Sequence, residues 1–212
     1  MENIQAPQNG IVQESELPAF DYTPVTQTHE KVMFPTLFRS YTFSDWNKIA
    51  QTLMDLSDSS NATEANAYVD VMKLDHPAVN RLKEVIYEIC DNLPLFSGEN
   101  QRPPMIIGAN TLFQQKFEHI PLHCYEFTPL VFTFVVNASQ NSPVTYFADT
   151  RGGVQTVDKN IVSQNLIGTG YGIKGNIGEI FVTPGYVQRY TETNLDDQTY
   201  VTINVMVSFA NY

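Results

Sequence analysis

The sequence predicts an α+β, mainly β fold: a β-sandwich or jelly-roll with two helices packed outside it and an extended N-terminal arm. Three observations carry that expectation. From about residue 105 onward, short β-branched and aromatic runs are separated by Gly, Pro, Asn and Ser turns. Ahead of them lie two segments with helical spacing, and helices followed by six or more short strands suit a β-layered domain with helices on its outside. The 212 residues suffice for one sizeable core, and a chain with 12% aromatic but only 17% charged residues suits a β-rich protein with a weakly charged surface.

Residues 1–30 are read as the arm, because Pro7, Pro18 and Pro24 interrupt a polar stretch whose apolar residues follow no period. Ile11, Val12, Leu17, Phe20 and Tyr22 are its candidate interface anchors. The domain is expected over 31–212. It opens with "KVMFPTLFRSYTF", where Pro35 calls for a sheet edge or a bulge. Ser44 is the expected N-cap of a helix over about 44–57, with Trp46, Ile49, Leu53 and Leu56 at helical spacing. A second helix is expected over about 76–93, capped by Asp75, with Pro77 in its first turn and Val79, Leu82, Val85, Ile86, Ile89 and Leu93 in one stripe. Strands occupy mainly 105–212. The last of them is the clearest: Val201, Ile203, Val205, Val207 and Phe209 share one face, Thr202, Asn204 and Ser208 the other.

The net charge of −11 repels phosphate backbones and anionic headgroups, so neither nucleic acid nor a membrane surface is expected as a partner. No stretch approaches the ~18 apolar residues of a membrane span. The start shows no secretory pattern, so a soluble protein made in a reducing cytoplasm is expected, with Cys90 and Cys124 as unbridged thiols. Residues 170–175 fit G-x-G-x-x-G letter for letter, but they lead into "GEIFVTP", a strand. Without a following helix to receive a pyrophosphate, the stretch reads as a turn with glycines at positive φ.

One constellation bears on chemistry. "LHCYEF" places His123 three residues before Glu126, just ahead of the apolar run 129–136. His119 and His123, at i and i+4 of an extended chain, would stand roughly 13 Å apart, too far for one metal unless the chain bends at Pro121. The bland reading is a hydrogen-bonded histidine and a solvated carboxylate.

The stretches "FPTLFRSYTFSDWNKIAQTL" (34–53), "LHCYEFTPLVFTFVVN" (122–137), "YFADTRGG" (146–153) and "GEIFVTPGYVQRYTETNLDDQTYVTINVMVSF" (178–209) resemble, in order and pattern, the phage and bacterial 2-oxoglutarate/Fe(II) oxygenase-like family. The resemblance implies a double-stranded β-helix with two histidines and a carboxylate around iron. It puts the first ligand on His123, but the second falls on Tyr125 and the distal histidine on Arg189. The basic residue that would grip 2-oxoglutarate falls at about Gln198 or Thr199. With one of three ligands kept, the ligand set is degenerate.

The expectation drawn is a non-catalytic structural component of a phage virion (head, neck or tail), with no cofactor and no catalytic or metal site. It would act through other virion proteins and self-association in a symmetric assembly. Its alternative is an Fe(II)/2-oxoglutarate-dependent oxygenase with His123 and Glu126 or Asp149 on iron, and Arg189 or Lys174 on the co-substrate. A weaker alternative is a glycan- or receptor-binding jelly-roll that uses Tyr146, Tyr171, Tyr186 and Tyr190.

Overall fold

The computed structural model describes residues 25–33, 36–61, 70–93, 103–148 and 170–209. The arm anchors Ile11, Val12, Leu17, Phe20 and Tyr22 lie outside them, as do Asp149 and Arg151. Among the described residues nine strands form two antiparallel sheets. Strands β1 (Thr26–Met33), β2 (Thr36–Thr42), β3 (Pro104–Gln114), β4 (Leu130–Asn137), β7 (Glu179–Pro184) and β9 (Tyr200–Phe209) make the larger, in the order β1-β2-β7-β4-β9-β3. Strands β5 (Val144–Ala148), β6 (Gly170–Lys174) and β8 (Gln188–Thr191) make the smaller, in the order β6-β5-β8. This is the jelly-roll expected from the alternating C-terminal half. The strand β1 starts at Thr26, inside the residues assigned to the arm, and forms the sheet edge, whereas β2, which takes most of the stretch 31–43, is interior, and Pro35 lies outside the described residues.

Period-two alternation divides the larger sheet into two unlike faces. On one, Phe132, Phe134, Ile180, Val182, Ile203, Val205 and Val207 pack with Leu53 of α1 (Ala50–Asn61) and with Val79, Leu82, Val85, Ile86 and Ile89 of α2 (Pro77–Asp91). Trp46 lies stacked on Phe134 with ring centroids 6.0 Å apart, and its Nε1–H donates to the Val136 carbonyl at 3.4 Å. Each such side chain contributes ~1.5–3 kcal/mol of burial, and this layer is the main core. The opposite face looks toward the smaller sheet and holds a smaller cluster of Phe38, Val135, Phe147, Phe181, Val187 and Tyr200.

Several local expectations are corrected. Ser44 does not cap a helix: Ser44–Lys48 is a 3-10 turn entered from Phe43, whose side chain makes no capping bond, and α1 begins only at Ala50. His76, not Asp75, caps α2, with its Nδ1 accepting from the Ala78 N–H at 3.1 Å; Pro77 starts the helix as expected. An imidazole lone pair can serve as a cap acceptor just as a carboxylate does. The glycine-rich stretch contains the strand β6, paired with β5, over the residues that fit the motif, and the expected turn with a glycine at positive φ comes only at its end, at Gly178. Gly172 is needed for close approach, not for positive φ: a Cβ there would meet Tyr146 Cε1 at 2.8 Å. Residues 115–129 are irregular and not a strand, with Phe117 and Phe127 at positive φ, so His119 and His123 share no strand face.

Candidate functional site

The strand β8 is a short outer strand of the smaller sheet, and its outer edge meets the irregular segment through one bridge. The His123 N–H donates to the Arg189 carbonyl at 2.9 Å, and the Arg189 N–H donates to the His123 carbonyl at 2.8 Å. Residues that exchange both bonds are directly opposed, and their side chains leave the same face. Gly185 makes the docking possible, because a Cβ there would lie 2.2 Å from the Thr128 carbonyl oxygen and 2.5 Å from that of Tyr125. The segment is thereby held against β7 and β8, with the Tyr125 N–H donating to the Gly185 carbonyl at 2.9 Å.

Arg189 points between the sheets and is 3% exposed. Its Nη1 donates to Thr133 Oγ1 at 2.9 Å and its Nη2 to Thr183 Oγ1 at 2.8 Å. Nε has no partner. The guanidinium lies 5.0 Å from the Tyr125 ring centre and 5.5 Å from that of Phe147. Among the described residues no carboxylate pairs with it, which is rare for a buried charge. Burial pushes its pKa down to about 10, so it is still a cation at neutral pH.

His123 faces the same cavity. Its Nδ1 lies 2.9 Å from the Pro121 carbonyl oxygen, which can only accept, so Nδ1 carries the hydrogen. That leaves a lone pair on Nε2, and this atom is buried with no partner. Burial holds the His123 pKa below the usual imidazole value, and the Arg189 charge adds to that, against the raising effect of the Pro121 bond. The ring is neutral at pH 7.

The cavity shared by these two groups measures about 20 Å³ and is also lined by Thr133, Thr145, Thr191 and Asn204. Thr133 Oγ1 donates to Asn204 Oδ1 at 2.7 Å while accepting from Arg189, and Thr191 Oγ1 donates to Gln114 Oε1 at 2.8 Å. A polar layer thus crosses the interior of the jelly-roll. A larger groove bordered by Gln51, Met54, Phe113 and Thr199 contains no buried charge.

The structure brings His123 and Arg189 together, and it does not bring the other candidates to them. Glu126 is exposed, 3.9 Å from Cys124 Sγ, and Asp149 lies outside the described residues. Tyr125, in the expected second ligand position, donates through its hydroxyl to Asn110 Oδ1 at 3.1 Å and packs edge-on against His123 at 5.5 Å. Lys174 donates to the Gln140 carbonyl, and Gln198 to Asn137 Oδ1 at 2.7 Å. Of the four tyrosines, Tyr146 and Tyr190 stack on each other at 4.9 Å and Tyr171 packs edge-on against Phe38. The polar partners Thr133, Thr183, Asn204 and Gln114 were not singled out from sequence. Their signal was a threonine within each of two apolar strands, "LVFTFVVN" and "EIFVTP", and the polar face of β9.

Among the described residues no three His, Cys, Asp or Glu side chains are grouped to bind a metal. His123 Nε2 fits one coordination position, and a guanidinium stands opposite it. A hydrogen-bond acceptor suits the position better than a metal, since Arg189 has an unused donor and, among the described residues, no counter-charge.

No family model matches the sequence, and no curated protein matches it significantly. Solved structures do. The non-heme alpha ketoglutarate dependent carbocyclase SnoK from nogalamycin biosynthesis aligns with a TM-score of 0.57 at 8% identity, over 82% of this chain and 79% of its own. HygX from Streptomyces hygroscopicus, solved with nickel and 2-oxoglutarate bound, aligns at 0.56 and 10% identity over 82% and 83%. The non-heme monooxygenase ThoJ, as its nickel complex, aligns at 0.53 and 11% identity over 79% and 68%. These neighbours are 2-oxoglutarate/Fe(II) oxygenase-family double-stranded β-helix proteins, and the likeness to this chain is one of fold.

Two expectations are corrected by these matches. The reading as a non-catalytic virion component, and the reading as a chain without cofactor, are both overturned, because the structures that share the fold are cofactor-dependent oxygenases. The inference from missing ligands to a structural part failed at its second step: ligand positions speak to chemistry at the site and carry no information about assembly.

Proposed function

We propose that this chain is an oxygenase of the 2-oxoglutarate/Fe(II) type with an altered ligand set, whose co-substrate is held through one carboxylate by Arg189. The observation that carries the reading is the buried guanidinium of Arg189, which has an unused Nε and no carboxylate partner among the described residues. A cation held there has a desolvation cost that a bound anion offsets.

Each residue has a distinct part. Thr133 and Thr183 fix the plane of the guanidinium, so that its remaining donor is aimed before the acid arrives. Tyr125 and Phe147 flank the guanidinium and limit water. His123 offers Nε2 as a metal ligand, its ring held by the Nδ1–H bond to Pro121 in the manner usual for ligating histidines. The carboxylate candidates Glu126 and Asp149 are not placed with His123 among the described residues, where Glu126 is exposed and Asp149 is not included, so the second ligand is left unassigned in this reading. Iron with 2-oxoglutarate supplies the oxidising chemistry when bound. Everything this chain contributes is orientation, charge and exclusion of water.

The test is 2-oxoglutarate consumption and succinate release with Fe(II) and ascorbate, together with metal analysis. The reading requires metal-dependent turnover that Arg189→Gln and His123→Ala both reduce by 10-fold or more. Absence of turnover together with wild-type metal content in His123→Ala overturns it.

A further inference from the structure

The irregular segment that carries His123 runs antiparallel to residues 185–194. Beyond the His123–Arg189 bridge, the Phe117 N–H donates to the Asn194 carbonyl at 2.7 Å and the Asn194 N–H to that of Glu118 at 2.8 Å. At the other end the Gly185 N–H donates to the Thr128 carbonyl at 3.1 Å. This pairing sets Phe117 close to Leu195 and Phe127 close to Tyr186, with Leu122 between the two ends, and all five side chains are exposed.

The two phenylalanines stand out on two independent counts. With φ of 70° and 63°, Phe117 and Phe127 are the only non-glycine residues at positive φ among the described residues. Phe127 is third in the turn Tyr125–Thr128, closed by the Thr128 N–H on the Tyr125 carbonyl at 3.2 Å, where glycine or asparagine would adopt the same backbone with less strain. Packing does not offset that strain, because Phe127 is 99% exposed and Phe117 72%. A strained aromatic ring with almost no contact in its own chain points to a contact outside it.

Charge selects the partner. Along the paired segments the exposed ionised residues are Glu118, Glu126, Glu192 and Asp197 against Lys116, which already meets Asp197 at 2.6 Å. A second copy would bring the same carboxylates together across an isologous contact, and anionic headgroups would be repelled. A basic partner is attracted. We infer that this surface docks a basic polypeptide segment with apolar side chains, with Phe117 and Phe127 as anchors at its two ends. The inference is independent of the oxygenase reading, since it uses neither the Arg189 side chain nor the His123 ring.

Fluorescence anisotropy of a labelled peptide of three Lys-Phe-Lys-Leu repeats, titrated with the full chain, tests it. Saturable binding is expected, and Phe117→Gly and Phe127→Gly should each weaken it by about 10-fold. Both variants should melt at or above the wild-type temperature, because glycine relieves the left-handed backbone. Peptides of Glu-Phe-Glu-Leu and of Lys-Ser-Lys-Ser repeats should not bind, and the second of these controls for general attraction to a chain of net charge −11. Equal binding of the Lys-Ser peptide, or binding unchanged in the double glycine variant, overturns the inference. So does a melting temperature several degrees lower in either variant, which would make the rings structural. A dimer in sedimentation velocity that Phe127→Gly dissociates overturns it as well, by identifying a second copy as the occupant.

Discussion

The two faces of the larger sheet are made by the same strands, yet they follow opposite rules. Toward the helices, every second residue of β4, β7 and β9 is apolar and buried, from Leu130 and Phe132 to Val205 and Val207. Toward the smaller sheet, the alternate residues include Thr133, Thr183, Thr202 and Asn204, equally buried, with Arg189 reaching in from β8. One face buries oil and the other buries hydrogen bonds around a charge. A helix-covered face provides stability, while a polar interior that costs desolvation is the place to look for a ligand.

The contrast can be broken most severely on the helix side. Phe134→Ala removes a fully buried ring stacked on Trp46, and a loss of about 3–5 kcal/mol in urea unfolding is expected. On the polar side, Thr133→Val deletes a hydroxyl that accepts from Arg189 and donates to Asn204, stranding both. A loss of about 1–3 kcal/mol is expected, without the cavity cost of the first variant.

Charge itself sharpens the comparison. Cys90, on the helix side, has its thiol pushed up to about 12 from the ordinary 9.0, first by burial and then by Asp91. The folded chain keeps that proton while the unfolded chain loses it above pH 9, so stability falls as pH rises through that window. Measured as the difference from Cys90→Ala, the loss should be on the order of 1 kcal/mol by pH 10. The apolar face thus rejects a charge that the interior face accommodates. Arg189→Met should change stability least, within about 1 kcal/mol of wild type and in the stabilising direction if the threonines repack, because an unpaired buried cation is removed. A loss of several kcal/mol in that variant would mean that Arg189 is there for the fold and not for a ligand.

Much of this fold was legible because alternation is a strong signal where one face is apolar. The β9 pattern, with Val201 to Phe209 on one face, placed its strand and its helix-covered side correctly. Helix α2 was legible from its stripe and from Pro77. The same alternation is silent about the other face: it sets Thr202 and Asn204 opposite the valines but does not report that they line an interior. Polarity alone does not distinguish water from a polar core. Glycine misled: Gly172 looked like turn punctuation and instead makes room for the Tyr146 ring. Of the site, His123 was singled out by its place ahead of the apolar run 129–136, while Arg189 was found only through the family pattern, as a lost ligand and, in the alternative reading, as a co-substrate partner. Its pairing with His123 depends on a bridge between segments 66 positions apart, which no local periodicity reports.

The central claim is that the interior charge exists to hold a carboxylate. A crystal structure of the chain grown with 2-oxoglutarate and Ni(II) tests it most directly. The account predicts a carboxylate bonded to Arg189 Nε between the sheets, with Thr133 and Thr183 still accepting from the guanidinium nitrogens. An interior without the acid at saturating 2-oxoglutarate, or an acid bound only on the outer surface, would contradict it.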